Sequence, residues 1–222
     1  MLARLYRDYR ELNARLDEWF CTLQASVAGP LYHPNLAQLR SKHDDEAQGR
    51  IFPIAFSFPS FVIGYTMVFF WIANLITKHQ LCLLHGRLSA VEHSPRTVNG
   101  YVPTCPFAAG ESGALPRDKR PCPCQMDIEP LDVQAMDWTQ HARNICQSVE
   151  YFLQDNMGDT GPASIFPALT FAKLYFGLRP RSCKREIFWV GEMLEHVSDK
   201  GVAIAGSVGN LISKSSVPGQ AM

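Results

Sequence analysis

The sequence lacks an excess of charge of either sign. Its 222 residues carry 21 Lys and Arg against 21 Asp and Glu, so the formal net charge is zero. A chain that binds DNA or RNA by itself normally shows a basic excess on one face, because neutralising phosphates supplies most of the non-specific affinity. The neutral balance therefore argues against nucleic-acid binding by this chain alone.

The sequence also lacks the short motifs that carry catalysis. It contains no nucleophile elbow, no glycine-rich phosphate loop and no dinucleotide fingerprint. His79 and His85 are six residues apart, which places them on different faces of a helix rather than in the i, i+4 pair of a metalloprotease. We expect that the protein is not an enzyme.

Cysteine is present, but not in the spacing of a structural metal site. Cys122 and Cys124 are separated by one residue, whereas zinc knuckles use Cys-x-x-Cys so that two thiolates turn onto one ion. Cys105 and His93 would have to complete such a site, so loop thiols are the alternative interpretation. We expect no metal and no cofactor.

The seven cysteines are an odd number in a long chain, and no apolar signal segment opens it, so a reducing intracellular compartment is expected.

What the sequence does contain is apolar periodicity of the helical kind. At 46% hydrophobic and 19% charged residues, the chain can bury a core. The first segment repeats apolar residues at steps of three and four before Gly29 and Pro30, at positions Leu2, Leu5, Tyr9, Leu12, Leu16, Trp19 and Leu23. This stripe predicts either an amphipathic helix docked on its own core or a coiled-coil dimerisation helix.

Residues 51–77 contain no charged side chain, and 60–77 are eighteen residues that as a helix span about 27 Å. This length fits a transmembrane helix, although Ser60, Thr66 and Asn74 lie inside the stretch. A helix surrounded by others in an α-helical domain shows the same composition. We expect this central helix to continue through Leu84 and to stop at Gly86. The polar residues before it, including 42–46, are predicted to form a solvated loop.

The second half predicts three more helices separated by Gly and Pro. Asp132 is the expected cap of the first, Gly161 and Pro162 mark a turn, and Gly201 ends the last. The predicted buried positions of the first and last helices step by three and four: Trp138, Ala142, Ile145, Val149 and Phe152, then Ile187, Val190, Leu194 and Val197.

Glu186, Glu192 and Glu195 are expected on a solvated face of the last helix. Residues 89–130 are rich in Pro, Gly, Cys and Ser and predict an irregular or disordered loop, and 206–222 predict a flexible tail. No strand-like alternation competes, so the predicted class is all-α.

Three segments of the C-terminal half carry a recognisable pattern: 145–162 with Cys-x-Ser-x-x-Tyr, 165–169, and 184–189 with Arg-Glu and a Trp. Together they resemble the end of the regulatory domain of fungal binuclear zinc-cluster transcription factors. Residues 53–84 are similar to the long central helix of that family, and 10–20 are similar to its Arg- and Leu-rich segment. The resemblance covers most of 1–205, and it favours the core helix over the membrane helix.

The resemblance implies an all-α regulatory domain in a nuclear regulator of RNA polymerase II transcription; without it, the expected location is cytoplasmic. The family binds DNA through an N-terminal cluster of six cysteines holding two zinc ions, and these 222 residues contain no such cluster. We therefore expect a truncated form, a fragment or a free-standing regulatory subunit, with DNA reached only through a missing module. Protein partners or self-association are expected.

Two alternatives remain open from the sequence. The first is a single-pass membrane protein anchored by residues 60–77, although the family resemblance argues against membrane association. The second is a receptor for a small-molecule effector, whose pocket would be lined by Trp71, Tyr151, Phe171 and Trp189; the competing interpretation of these aromatic residues is plain core packing.

Overall fold

The chain begins with two long helices that pack antiparallel. In the computed structural model, which describes residues 2–93 and 137–202, helix α1 spans Leu2–Ser26 and helix α2 spans Phe61–His93. Tyr6 lies near His85 and Phe20 stacks on Phe70, so the two helices run in opposite directions. The Ser60 hydroxyl accepts the Ile63 amide at 3.3 Å and caps the start of α2.

The predicted stripe on α1 is only partly covered. Its packed side repeats at steps of four and three along Leu2, Tyr6, Tyr9, Asn13, Leu16, Phe20 and Leu23. Leu5, Leu12 and Trp19 belong to the predicted stripe but remain more than 40% exposed. The helix thus docks within its own chain, rotated so that three of the seven predicted residues face solvent.

Two short strands connect α1 to α2, which the sequence analysis did not predict. Strand β1 is His33–Leu36 and strand β2 is Ile54–Ser57, paired antiparallel with His33 opposite Ser57 and Leu36 opposite Ile54. Each strand has four residues, and all four residues of β1 are exposed, so no alternating pattern marks it. The expectation of no strand was therefore wrong at this point.

Helix α2 continues through Gly86, where the sequence analysis expected it to end. It continues to His93, so 89–93 begin as helix rather than as the predicted loop. The remainder of the predicted loop, 94–130, and the predicted tail lie outside the described residues, as does Asp132. In the described part, the Asp137 carboxylate accepts the Thr139 amide at 3.0 Å at the start of the next helix.

Three helices complete the fold: α3 at Thr139–Phe152, α4 at Thr160–Gly177 and α5 at Lys184–Asp199, with a 3-10 turn at Asp155–Met157. Helix α3 packs against α2, α4 and β2, and α4 packs against α5. Gly161 and Pro162 lie in the first turn of α4 instead of in the preceding turn. Gly201 ends α5 at φ +103°, with the Val202 amide bonded to the Val197 carbonyl.

Five helices and one two-stranded sheet make the described part mostly α, as the predicted fold class requires. The main core joins α2, α3, α4 and α5 around side chains of zero exposure such as Met67, Ile145, Phe152, Leu169 and Leu194. A second, smaller cluster consists of Tyr6, Leu81, Leu84 and Leu88 with Leu2 and Tyr9 against it. It holds the far ends of α1 and α2 together.

The charged segment expected to be a solvated loop is held to the helices. The Glu150 carboxylate on α3 accepts the amides of Gln38 and Leu39. On α5, Glu192 accepts the Ser41 hydroxyl and the Lys42 amide, the latter at 3.1 Å.

The acidic residues of α5 therefore make long-range contacts. The expectation of a solvated helix face was wrong for Glu186, whereas the Glu195 side chain is 61% exposed, as expected. Glu186 pairs with Arg143 of α3 at 3.3 Å, and its side chain is 15% exposed. Glu195 lies 3.5 Å from the Lys42 ammonium. All three carboxylates thus join α5 to α3 or to the segment before α2.

Candidate functional site

The four aromatic residues predicted to line an effector pocket are part of the main core. Trp71 is 2% exposed and Tyr151 8%, and the rings of both contact Phe58. Trp189 packs edge-on against Phe52 at 4.6 Å, and Phe171 is half-buried against the same core. The large groove described next is lined by none of the four.

A groove of about 610 Å³ lies along α5. Its other walls are the segment at residues 42–43, the turn at Pro180 and one residue of α4. The lining consists of Lys42, His43, Lys173, Pro180, Lys184, Ile187, Phe188, Gly191, Glu192 and Glu195. Its volume falls within the range of roughly 300–1,000 Å³ that is common for small-molecule sites.

The periodicity of α5 explains why the groove forms there. One face of the helix is buried in the core through Trp189, Val190, Met193, Leu194 and Val197. The groove residues at 184, 187, 188, 191, 192 and 195 recur at three- and four-residue intervals, so they share the neighbouring face. Gly191 has no side chain, which leaves a gap in the middle of that face.

Lys173 is the buried charged group of the groove. It is the only charged residue in 161–178, and it is 2% exposed. A Cβ on Gly191 would lie 3.4 Å from the Lys173 ammonium nitrogen, so the gap at Gly191 receives the lysine head. Burial lowers the pKa of Lys173, and the Glu195 carboxylate acts in the opposite direction.

The charges around the groove are unequal. Three lysine ammonium groups, on Lys42, Lys173 and Lys184, line it together with two carboxylates. Both carboxylates contact the segment at 41–42, since Glu192 bonds Ser41 and Lys42 and Glu195 lies beside the Lys42 ammonium.

The groove also has an apolar part next to its charges. Phe188 is 49% exposed although it is a large hydrophobic residue, and its ring lies 5.2 Å from the ring of His43. Ile187 and Pro180 are the other apolar side chains of the lining. Sites that orient a small organic molecule usually combine a few charged or polar groups with an apolar surface.

A second exposed surface lies on the two long helices. Leu5, Leu12 and Trp19 are spaced by seven residues on α1 and are 42–44% exposed. The Trp19 ring lies 5.6 Å from Phe70 of α2. Tyr65 and Phe69 of α2 are also exposed, and their rings are 4.7 Å apart. We call Leu5, Leu12 and Trp19 the α1 stripe.

The structure does not describe the residues that were considered, and not favoured, as metal ligands. Cys105, Cys122, Cys124 and the His93 side chain lie outside its described part, and the described residues contain no group of three potential metal ligands. His79 and His85 of α2 are on separate faces, as expected: His79 packs against Trp138 and Tyr175, whereas His85 lies near Tyr6. Burial and the Arg179 guanidinium lower the pKa of His79.

One helix among the described residues is long and apolar enough to cross a membrane. It covers Phe61–Leu88 with a mean hydropathy of 1.5, and half of its most apolar stretch is buried against the rest of the chain.

Lys173 was missed by the sequence analysis, although a signal was present. An apolar segment from 161 to 178 with a single charged residue requires either a solvent-facing position or a partner for that charge.

Comparisons with protein-family models, with curated proteins and with solved structures gave no match to the chain.

Proposed function

We propose that the chain is a helical regulatory and interaction domain of a transcription regulator, similar to those of fungal zinc-cluster factors, and that it self-associates through α1. The family part of this proposal is supported by the sequence motifs quoted above. Cys146, Ser148 and Tyr151 are buried on α3, and Trp189 is buried on α5. The motif residues therefore pack in one core. This suits a domain that functions by binding other proteins.

The observation that carries the proposal is the α1 stripe. Three large apolar residues at a spacing of seven remain exposed on a helix whose other face is already packed. Seven-residue spacing is the repeat by which helices pair side by side. Exposed apolar residues that form a line mark interaction surfaces more often than isolated ones do.

The charges of α1 favour a second copy of the chain as the partner. Residues 2–10 contain Arg4, Arg7 and Arg10 with one acid, whereas 11–23 contain Glu11, Asp17 and Glu18 with one arginine. Two copies of α1 that pair antiparallel therefore bring a basic half against an acidic half. Such complementarity orients the pair and adds to the burial of apolar surface.

The register follows from the stripe. Antiparallel pairing centred near Leu12 places Leu5 of one copy near Trp19 of the other. It also places Arg4 near Glu18 and Asp8 near Arg15, since all four of these residues border the stripe on the same side.

Sedimentation velocity over a range of concentrations tests this interface. We expect a dimer that Leu12→Asp converts to a monomer, because the substitution places a carboxylate at the centre of the apolar contact. Ala14→Asp is the matched control, since Ala14 is exposed on the opposite side of α1. A wild-type chain that stays monomeric at every concentration, or equal effects of the two substitutions, would contradict self-association through α1.

A reporter assay tests the regulatory role. The chain fused to an unrelated DNA-binding module should change RNA polymerase II transcription from a promoter carrying the matching site, and the chain alone should show no sequence-selective duplex binding at physiological salt. A fusion without effect on the reporter, or tight selective DNA binding by the unfused chain, would overturn this part of the proposal.

The competing proposal is a single-pass membrane protein anchored by residues 60–77, which the apolarity of Phe61–Leu88 favours. The packing of α2 favours the core helix, because Met67, Val68 and Leu75 have zero exposure and contact the main core. Carbonate extraction separates the two. Release without detergent supports the core helix, and retention in the membrane until detergent is added supports the anchor.

A further inference from the structure

We propose that α1 and α2 bind the second copy of the chain together, so that two α1–α2 pairs face each other as an antiparallel four-helix assembly. This inference rests on the proposed self-association through α1. It adds the second helix of the interface and its register, and it assigns the exposed apolar face of α2 to a second copy of the chain.

Helix α2 carries a row of large apolar residues that lies mostly in solvent. Val62, Phe69, Ile76 and Leu83 are spaced by seven residues, as are the residues of the α1 stripe. Val62 is 70% exposed, Phe69 45% and Leu83 43%, and Ile76 is partly buried. We call these four residues the α2 row. Three of the four lie in the uncharged run 61–77, so burying them takes no charged group out of water.

The α1 stripe and the α2 row lie at matching levels along the two helices. The levels are fixed by Phe20, which stacks on Phe70, and by Tyr6, which shares the small cluster with Leu84. Each residue of the stripe, and each residue of the row from 69 onwards, precedes a packed position by one residue. Paired residues therefore lie within about 3 Å of the same level. The three pairs are Leu5 with Leu83, Leu12 with Ile76, and Trp19 with Phe69.

The stripe and the row also project from the same side of the helix pair. Two antiparallel helices have a local two-fold axis perpendicular to the plane of their axes, since a half turn about it exchanges the helices and reverses their directions. Residues that precede the packed positions by one therefore point to the same side on both helices. The Trp19 ring, 5.6 Å from the Phe70 ring, lies at the boundary between the two helices. The stripe and the row thus form one continuous apolar surface.

The size of this surface favours a dimer that uses both helices. A helix is about 10 Å wide, and the α2 row is roughly 30 Å long, so one helix offers a face of roughly 300 Å² and the pair roughly 600 Å². A standard interface buries about 800 Å² of accessible surface on each partner. The α1 stripe alone is therefore too small, and the neighbouring row brings the contact near the usual size.

The register of the second copy follows from a single two-fold axis. Antiparallel pairing of α1 is centred near Leu12, and Leu12 lies at the level of Ile76. The axis that relates the two copies of α1 therefore also relates the two copies of α2, with Ile76 at the centre. This places Phe69 of one copy near Leu83 of the other, in the way that Leu5 lies near Trp19.

Sedimentation velocity of the full chain tests the contribution of α2. Phe69→Asp and Leu83→Asp should each weaken dimerisation at least tenfold, because each substitution places a carboxylate in an apolar contact. Leu174→Asp on α4 is the matched control, since Leu174 is 50% exposed and lies outside the proposed interface. It should leave the dissociation constant unchanged. Wild-type dimerisation by both α2 variants would overturn the inference.

Nuclear Overhauser effects between copies test the register without any substitution. In a mixture of isotope-labelled and unlabelled wild-type chains, we expect intermolecular effects between the Phe69 ring of one copy and the Leu83 methyl groups of the other. A dimer in which these effects are absent would contradict the placement of α2.

The outcomes separate this inference from the proposed function. If Leu12→Asp disrupts the dimer and the two α2 variants do not, self-association through α1 stands and the inference about α2 fails. If the wild-type chain is monomeric at every concentration, both fail. Binding of that monomer to phosphatidylcholine vesicles, lost in Phe69→Asp, would then identify the row as a membrane-binding surface.

Discussion

The carbonyl oxygen of Phe152 fills the space in which a side chain on Gly161 would begin. The last residue of α3 and the second residue of α4 therefore touch through their backbones. The Met157 Cβ would also lie only 2.6 Å from a Cβ at 161, closer than real Cβ atoms approach other atoms. The connection between α3 and α4 is tight because residue 161 is glycine.

Gly161→Ala should lower the free energy of unfolding by at least about 2 kcal/mol, because the methyl group meets backbone that cannot move aside. Chemical denaturation measures the change. Gly177→Ala is the control within the same helix, since no other atom lies within 4 Å of its added Cβ. It should be neutral or stabilising by up to about 1 kcal/mol. Equal effects of the two substitutions would show that the close contact at 161 is absent.

Glu150→Gln should release the segment after β1. Both carboxylate oxygens of Glu150 lie 2.9 Å from the Gln38 nitrogen, and one lies 3.2 Å from the Leu39 nitrogen. Loss of the charge weakens these bonds, because hydrogen bonds to ionised acceptors are about twice as strong as neutral ones. Residue-resolved hydrogen exchange should show faster exchange at both amides.

The control for this substitution is Glu11→Gln, which changes an exposed ion pair with Arg15 on α1. It should leave exchange at residues 38 and 39 unchanged. Unaltered exchange at these two amides in Glu150→Gln would mean that the carboxylate does not hold the segment.

Stability should fall in mild acid because of His141. Burial, with a smaller effect of the Lys78 ammonium, lowers the pKa of His141 to about 4, although the Asp137 carboxylate opposes this shift. A histidine with a lowered pKa in the folded state contributes stability above its unfolded pKa of 6.5. That contribution is lost as pH falls from 6.5 towards 4, at a total of about 3 kcal/mol.

Measuring the free energy of unfolding from pH 7.5 to 4.5 tests whether stability falls as the pH is lowered. His141→Gln should flatten the pH dependence, and the remaining slope in the same direction is expected in part from His79, whose pKa is also lowered. His33→Gln, on the exposed strand β1, serves as the control. A slope that is unchanged in His141→Gln would contradict the assignment.

A charge exchange tests the antiparallel register of α1. Arg4→Glu and Glu18→Arg should each weaken self-association about 5- to 30-fold, because two attractive pairs per dimer become repulsive. The double variant should restore the wild-type dissociation constant, since each pair is re-formed with its signs reversed. Sedimentation in low salt measures all four proteins. Failure of the double variant to recover would exclude this register even if the chain dimerises.

The helical core was predictable because its pattern is strong. Every apolar position predicted for α3, from Trp138 to Phe152, has 3% exposure or less, and Val190, Leu194 and Val197 of α5 have none. These residues repeat with the period of the helix, so the buried face can be read from their spacing.

The extension of α2 was not predictable from local signals. A glycine inside a helix costs only about 1 kcal/mol. Leu84 and Leu88 lie on either side of Gly86, and both pack with Tyr6 of α1. The burial of these side chains outweighs the glycine, but the partner lies some eighty residues earlier in the chain. The strands were missed for a related reason, since β1 is exposed and polar.

The groove was missed because its parts come from separate segments. The acids of α5 look like a solvated face when only their own helix is considered, yet Glu192 contacts residues 41–42 across 150 positions of sequence. Lys173 alone gave a local signal, as a single charge in an apolar segment. The direction of the Lys173 side chain depends on how α4 crosses α5, and packing between the two helices sets that crossing.

The separation of the two hydrophobic clusters determines which parts of the protein an optical experiment can see. All four tryptophans of the chain, at 19, 71, 138 and 189, belong to or border the main core. The small cluster around Tyr6 contains none. If the far ends of α1 and α2 separate before the core melts, tryptophan fluorescence stays constant while helical circular dichroism falls. A melt followed by fluorescence alone would then overstate how cooperatively the molecule unfolds.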